Sequence, residues 1–106
     1  MVERFQTWMA NPKKSGLFYV WGHSYEFARP TDRWKEIDGL FRPLAGHAEV
    51  WYCTNIQLWD YEAARQRMCL AANRKTAYNP SAMPVTLVCD GKVVDVPPGQ
   101  TISLTA

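Results

Sequence analysis

The residue best placed to do chemistry is a histidine that follows a glycine at the end of an apolar run. Leu17-Phe18-Tyr19-Val20-Trp21 leads directly into Gly22-His23-Ser24-Tyr25-Glu26. In parallel α/β architectures, side chains at the C-terminal ends of strands point into the site. An imidazole there serves as general acid or base because it titrates near neutrality. The plainer alternative is a histidine held by hydrogen bonds beneath a loop. Ser24 and Glu26 invite a Ser-His-acid arrangement. Neighbours on a strand face opposite sides, however, and the chain has no G-x-S-x-G elbow, so that reading is not adopted. His47, the other histidine, sits in Gly46-His47-Ala48 after a helical segment, at the expected opposite end of the sheet. A His23/Glu26/His47 metal site is therefore not expected.

A second group of polar and aromatic residues closes the next apolar stretch. Val50-Trp51-Tyr52-Cys53-Thr54-Asn55-Ile56 reads as a strand, and alternation sets Asn55 and Gln57 on one face. These two either bind a ligand or tie down loop backbone. Asp60 reads as the cap of a following helix. Trp59 and Tyr61 come after the strand and suit a sugar-stacking platform, whereas Trp21 and Trp51 read as core. Asn79-Pro80-Ser81 reads as a turn initiator, and its proline removes any glycosylation reading of Asn79.

The elements that must position these residues follow from the pattern. Val2 to Met9 reads as a short helix with Phe5, Trp8 and Met9 on one face, ended by Asn11-Pro12. Residues 17–21 read as a strand buried on both faces. Thr31 or Asp32 caps a helix carrying Trp34, Ile37, Leu40, Phe41 and Leu44, which ends near Phe41 or frays through Pro43. The second strand follows, then a helix with Tyr61, Ala64, Met68 and Ala71 on one face. Strand, helix and strand make a right-handed crossover. After about Lys75, the segments Pro84–Val88, Lys92–Val96 and Thr101–Leu104 read as short antiparallel strands. Asp90-Gly91 forms a two-residue hairpin turn between the first two. The expectation is an α/β chain on one domain: a lead-in (1–16), a partial β/α barrel of two β-α units (17–75), and a small antiparallel β segment (76–106).

Composition narrows the class. A length of 106 residues is short for a whole β/α barrel, which takes about 200 or more. A net charge of +2, with Lys13-Lys14 and Arg74-Lys75 as isolated pairs, gives no footprint for nucleic acid. Cys53, Cys69 and Cys89 are odd in number and lack a C-x-x-C, which argues against both a disulfide framework and a structural zinc site. Neither a secretory signal nor a membrane-length apolar run is visible, so the expectation is a cytoplasmic chain without membrane contact.

In order and spacing, 17–27, Trp34, 51–61, 78–82, the Asp90-Gly91 hairpin and Pro98-Gly99 resemble the C-terminal half of polysaccharide deacetylase-like (NodB-type) proteins. The resemblance covers most of the chain from Leu17 onward and is most specific in the first stretch. It implies a distorted, incomplete β/α barrel that removes acetyl groups from N-acetylated sugars. In that family an Asp and two His hold a divalent metal, an aspartate acts as base, and a late-strand histidine protonates the leaving amine. His23 matches that histidine, and only that role carries over. The family's Asp-Asp pair, its His-x-x-x-His and its Arg-x-Pro segment have no counterpart among the 106 residues. Gln57 stands where the subgroup commonly shows glutamate, and Ala28 where it shows aspartate.

The resemblance therefore implies a truncated deacetylase-like chain that is not catalytically competent alone. It has no cofactor of its own, a divalent metal entering only with an upstream half. His23 is the ancestral acid in that reading, and position in the sequence, not the resemblance, gives Glu26, Asn55, Gln57 and Trp59 as candidate substrate contacts. The apolar faces that a full barrel would cover predict a homo-oligomer. Two alternatives are part of a metal-dependent N-deacetylase completed by an upstream region or partner chain, and a carbohydrate-binding module.

Overall fold

The computed structural model describes residues 1–11, 16–26 and 33–104. Helices and antiparallel strands together make a mixed α/β chain, and it divides into two compact units, Met1–Trp51 and Tyr52–Ala106. The expected helix caps Thr31 and Asp32 lie outside the described residues, as do Pro12, Lys13-Lys14, Phe27 and Ala28.

The first unit is built around aromatic rings. Helix α1 (Val2–Met9) presents buried Phe5, as its apolar spacing predicts. The Phe5 ring meets Phe18 edge-on at 5.4 Å, Trp8 at 5.7 Å and the His47 imidazole at 5.2 Å, and Trp8 also meets Phe18. Such tilted and edge-on contacts suit the ring quadrupoles and add to the area buried. Gly16 lies under Trp8: a Cβ there would come 3.3 Å from Trp8 Nε1. Helix α2 (Arg33–Phe41) runs into a single 3-10 turn, Arg42–Leu44, whose Leu44 is buried. Pro43 at the start of that turn is tolerated because a helix's first N–H groups need no internal partner.

One expected strand is absent from this unit. Residues 17–21 form no strand among the described residues, and Leu17, Tyr19, Val20 and Trp21 are exposed, Trp21 to 74%. A continuous apolar run becomes a doubly buried strand only where neighbouring strands flank it. Here none does, and only Phe18 turns inward, onto Phe5 and Trp8.

The second unit begins with a helix where a strand was expected. Helix α3 (Asn55–Arg67) starts within the run 50–56, and its N-cap is Thr54, not Asp60. Thr54 Oγ1 accepts the Gln57 N–H at 3.3 Å, while Gln57 Oε1 accepts the Thr54 N–H at 2.8 Å. This reciprocal capping box satisfies two backbone donors, which β propensity in an unpaired segment does not match. Asp60 falls inside the helix. The inner face carries buried Ala64, and the Tyr61 hydroxyl accepts the Thr86 N–H at 3.1 Å, fixing α3 on the strand beneath.

Five short strands follow: β1 (Cys69–Leu70), β2 (Thr76–Tyr78), β3 (Val85–Cys89), β4 (Lys92–Val96) and β5 (Thr101–Ser103). The order β1-β2-β5 makes one antiparallel sheet and β3-β4 a second. The three strands read from the sequence are present within a residue or two. Strands β1 and β2 were not foreseen. Asp90 and Gly91 turn the hairpin at φ 49° and 75°, the left-handed pair that a type I′ turn requires. No barrel is closed among the described residues, and neither 17–21 nor 50–56 is a strand there.

The core of this unit is small, holding Ala64, Ala77, Val85, Val96 and one polar residue, Asn79, which is 0% exposed. Asn79 uses its side chain fully. Nδ2 donates to the carbonyls of Met83 (2.8 Å) and Val96 (2.9 Å), and Oδ1 accepts from the Ser81 N–H (3.0 Å) and hydroxyl (2.6 Å). Its backbone N–H and C=O bond to Gln100 and Gly99. A buried amide is stable only when satisfied in this way. The expected turn role holds, and burial adds a structural node joining the Asn79-Pro80-Ser81 turn, the end of β4 and the Pro97–Gln100 turn.

Candidate functional site

His23 lies at the mouth of a 3-10 turn, Ser24–Glu26, closed by the Glu26 N–H donating to the His23 carbonyl at 3.0 Å. Arg33 at the start of α2 donates from Nη1 to the Glu26 carbonyl at 2.8 Å, which ties the turn to that helix. The imidazole is exposed, so the reading of a histidine held beneath a loop does not describe it. Its ring stacks on Tyr25 (4.9 Å, 15° between planes) and meets Trp21 edge-on at 5.8 Å. Trp21, His23 and Tyr25 are thus one exposed aromatic group built from alternate residues. Reading 17–21 as a buried strand hid it. The alternation of rings at 21, 23 and 25 was the available signal.

The arrangement offers a proton donor or acceptor in water beside two flat apolar faces. Glu26 is exposed next to it. Ser24 heads the 3-10 turn, and no hydrogen bond joins it to His23. His47 has a structural role in the same unit: its Nε2 donates to the Pro43 carbonyl at 2.9 Å while its ring packs on Phe5.

The other proposed contacts lie in the second unit, in the first turns of α3. Asn55 is the first helical residue and Gln57 completes the capping box, so they are not paired on one strand face as alternation predicted. Gln57 ties down backbone, the plainer of its two readings. Trp59 is 72% exposed on α3. His23 and Glu26 thus belong to one unit, and Asn55, Gln57 and Trp59 to the other.

Among the described residues, no three His, Cys, Asp or Glu side chains come together to hold a metal ion. The described residues thus hold no group like the Asp and two His of the family that the sequence resembles. The three cysteines are free thiols. No helix among the described residues is long and apolar enough to cross a membrane.

The charged groups whose ionisation is perturbed are Arg42, Glu62 and Arg65. On α3, Arg65 forks onto Glu62 (2.8–3.1 Å), and its hydrogen bonds hold the Glu62 carboxyl below the usual carboxylate range. Arg42 likewise gains from its hydrogen bond to Asp38. Both pairs are exposed and local to a helix.

No protein-family profile, curated protein or solved structure matches this chain.

Proposed function

We propose that this chain is a polysaccharide-deacetylase-like segment that does not deacetylate alone, self-associates through its exposed apolar side chains, and retains in His23 the acid of the ancestral site. The observation that supports it most is the exposure of the stretch that carries the resemblance. Four of the five residues in 17–21 are solvent-facing, and His23 follows them with its imidazole open to an approaching partner. Apolar side chains displayed contiguously are what neighbouring barrel elements would cover, and their burial favours association. Protonation of a leaving amine needs an imidazole within hydrogen-bond reach of it, and an exposed His23 meets that condition once a partner brings the acetamido group. The metal ligands and base would come from that partner, as part of an N-deacetylase completed by another chain or upstream region.

Light scattering on the purified chain tests the association. A dimer or larger species at micromolar concentration is expected, and a monomer throughout would count against it.

A second reading has its own support. Trp21 with Tyr25 in one unit and Trp59 in the other present exposed aromatic faces suited to stacking on sugar rings, as a carbohydrate-binding module would use them. Titration of tryptophan fluorescence with chito-oligosaccharide should shift in the native chain and lose most of its amplitude in Trp21→Ala or Trp59→Ala. An unchanged spectrum would exclude this reading.

A further inference from the structure

The β3–β4 hairpin is held by α3 at one point of its β3 edge, Thr86, and no strand of the described residues pairs with its β4 edge. The Thr86 N–H turns away from β4, because it donates to the Tyr61 hydroxyl on α3. In an antiparallel ladder, a residue whose N–H points away from its partner strand belongs to a non-hydrogen-bonded pair. Thr86–Asp95 is therefore such a pair, and alternation makes Val88–Val93 the next one. Val85–Val96, Leu87–Val94 and Cys89–Lys92 then exchange the ladder bonds. It follows that the main-chain groups of Val93 and Asp95 point off the far edge of β4, where no strand of the described residues lies beyond. The corresponding edge of β3 is the one that Tyr61 occupies.

The side chains agree with the backbone. Val85 and Val96 face the core, while Val88 and Val93 oppose each other on the outer face, 75% and 72% exposed. A strand edge with unpaired donors and acceptors beside exposed β-branched residues accepts another strand.

We propose that two copies of this chain pair β4 with β4, antiparallel about a two-fold axis at Val93, to form a four-stranded sheet. This rests on the self-association read above and gives it a surface other than the exposed stretch 17–21. Charge and pattern select the register. Centred on Val93, each Val93 exchanges both main-chain bonds with its copy, Lys92 lies opposite Val94, and Asp95 lies opposite Gly91, so no like charges are opposed. The outer face becomes an unbroken row of valines, 88 and 93 of one copy and then 93 and 88 of the other. Centring on Lys92 would oppose two ammonium groups, and centring on Val94 would break the valine row with Asp95.

Amide exchange followed by NMR on the full chain, across a concentration series with parallel light scattering, tests this. The amides of Val93 and Asp95 should gain about tenfold or more protection as the dimer forms. The Val94 amide, bonded within the hairpin, should be protected at every concentration. Val93→Lys should raise the dimer dissociation constant at least about tenfold, whereas Ile56→Lys, at an equally open apolar site on α3, should leave it unchanged. A dimer that survives Val93→Lys with Val93 and Asp95 amides unprotected overturns the proposed surface and leaves the functional reading standing. A chain that stays monomeric overturns both the surface and the association.

Discussion

At the scale of single residues, Asn79 is the side chain that most ties the fold together, and His23 is the one on which the proposed chemistry rests. Asn79 satisfies four side-chain hydrogen bonds with no exposure, joining residues as far apart as Ser81 and Val96. Replacing it by alanine takes one donor from each of the Met83 and Val96 carbonyls, removes the acceptor of the Ser81 N–H and leaves a gap. Asn79→Ala should lower the unfolding free energy by about 3 kcal/mol, read from urea denaturation. The sequence shows Asn79-Pro80-Ser81 as a turn, but burial was not legible because the acceptor at Val96 lies across an intervening hairpin. His23 is the opposite case. Its candidacy came from position and resemblance, while Trp21 beside it was assigned to a core and is exposed. A third residue carries a pH signature. The Arg65 hydrogen bonds hold Glu62 below the ordinary carboxylate value, so whatever the pair adds is present above the ordinary glutamate value and is lost as pH falls through the lowered one. Carboxyl NMR should place the Glu62 titration below that of a model glutamate, and Arg65→Gln should return it to the ordinary value.

At the scale of elements, local signals succeeded where one turn of chain decides the outcome. Asp90-Gly91 gave the β3–β4 hairpin, because only left-handed backbone closes a two-residue loop and these residues tolerate it. The spacing of Phe5, Trp8 and Met9 gave α1. The strands at 17–21 and 50–56 failed for a common reason. Aromatic and β-branched residues favour a strand only through neighbours on the same sheet, and neither segment has a paired neighbour among the described residues. Within the second of these, Thr54-Asn55-Ile56-Gln57 is a capping box written in the sequence, and its two reciprocal hydrogen bonds decide for a helix. Thr54→Ala should therefore cost about 1 kcal/mol of stability, measured by thermal or urea unfolding, and Thr54→Ser should be nearly neutral. If Thr54→Ala leaves stability unchanged, the cap does not set where α3 begins.

At the scale of the whole molecule, the chain is two compact units, each with a modest core and several large apolar side chains in solvent. A small core is consistent with stability that benefits from association, since short chains bury a smaller share of their surface. The proposed chemistry is also a property of more than one chain: His23 can give a proton, but the ligands and base of the family's reaction have no counterpart in these 106 residues. The central claim is that His23 is an acid waiting for a partner's site. Its most direct test is release of acetate from an N-acetylglucosamine oligomer, with the chain alone and with the metal-bearing half of a NodB-type deacetylase added. The account predicts no turnover by the chain alone, turnover by the mixture, and a loss of about 10²-fold or more in the mixture with His23→Ala. Turnover by the chain alone, an inactive mixture, or a mixture indifferent to His23→Ala would contradict it.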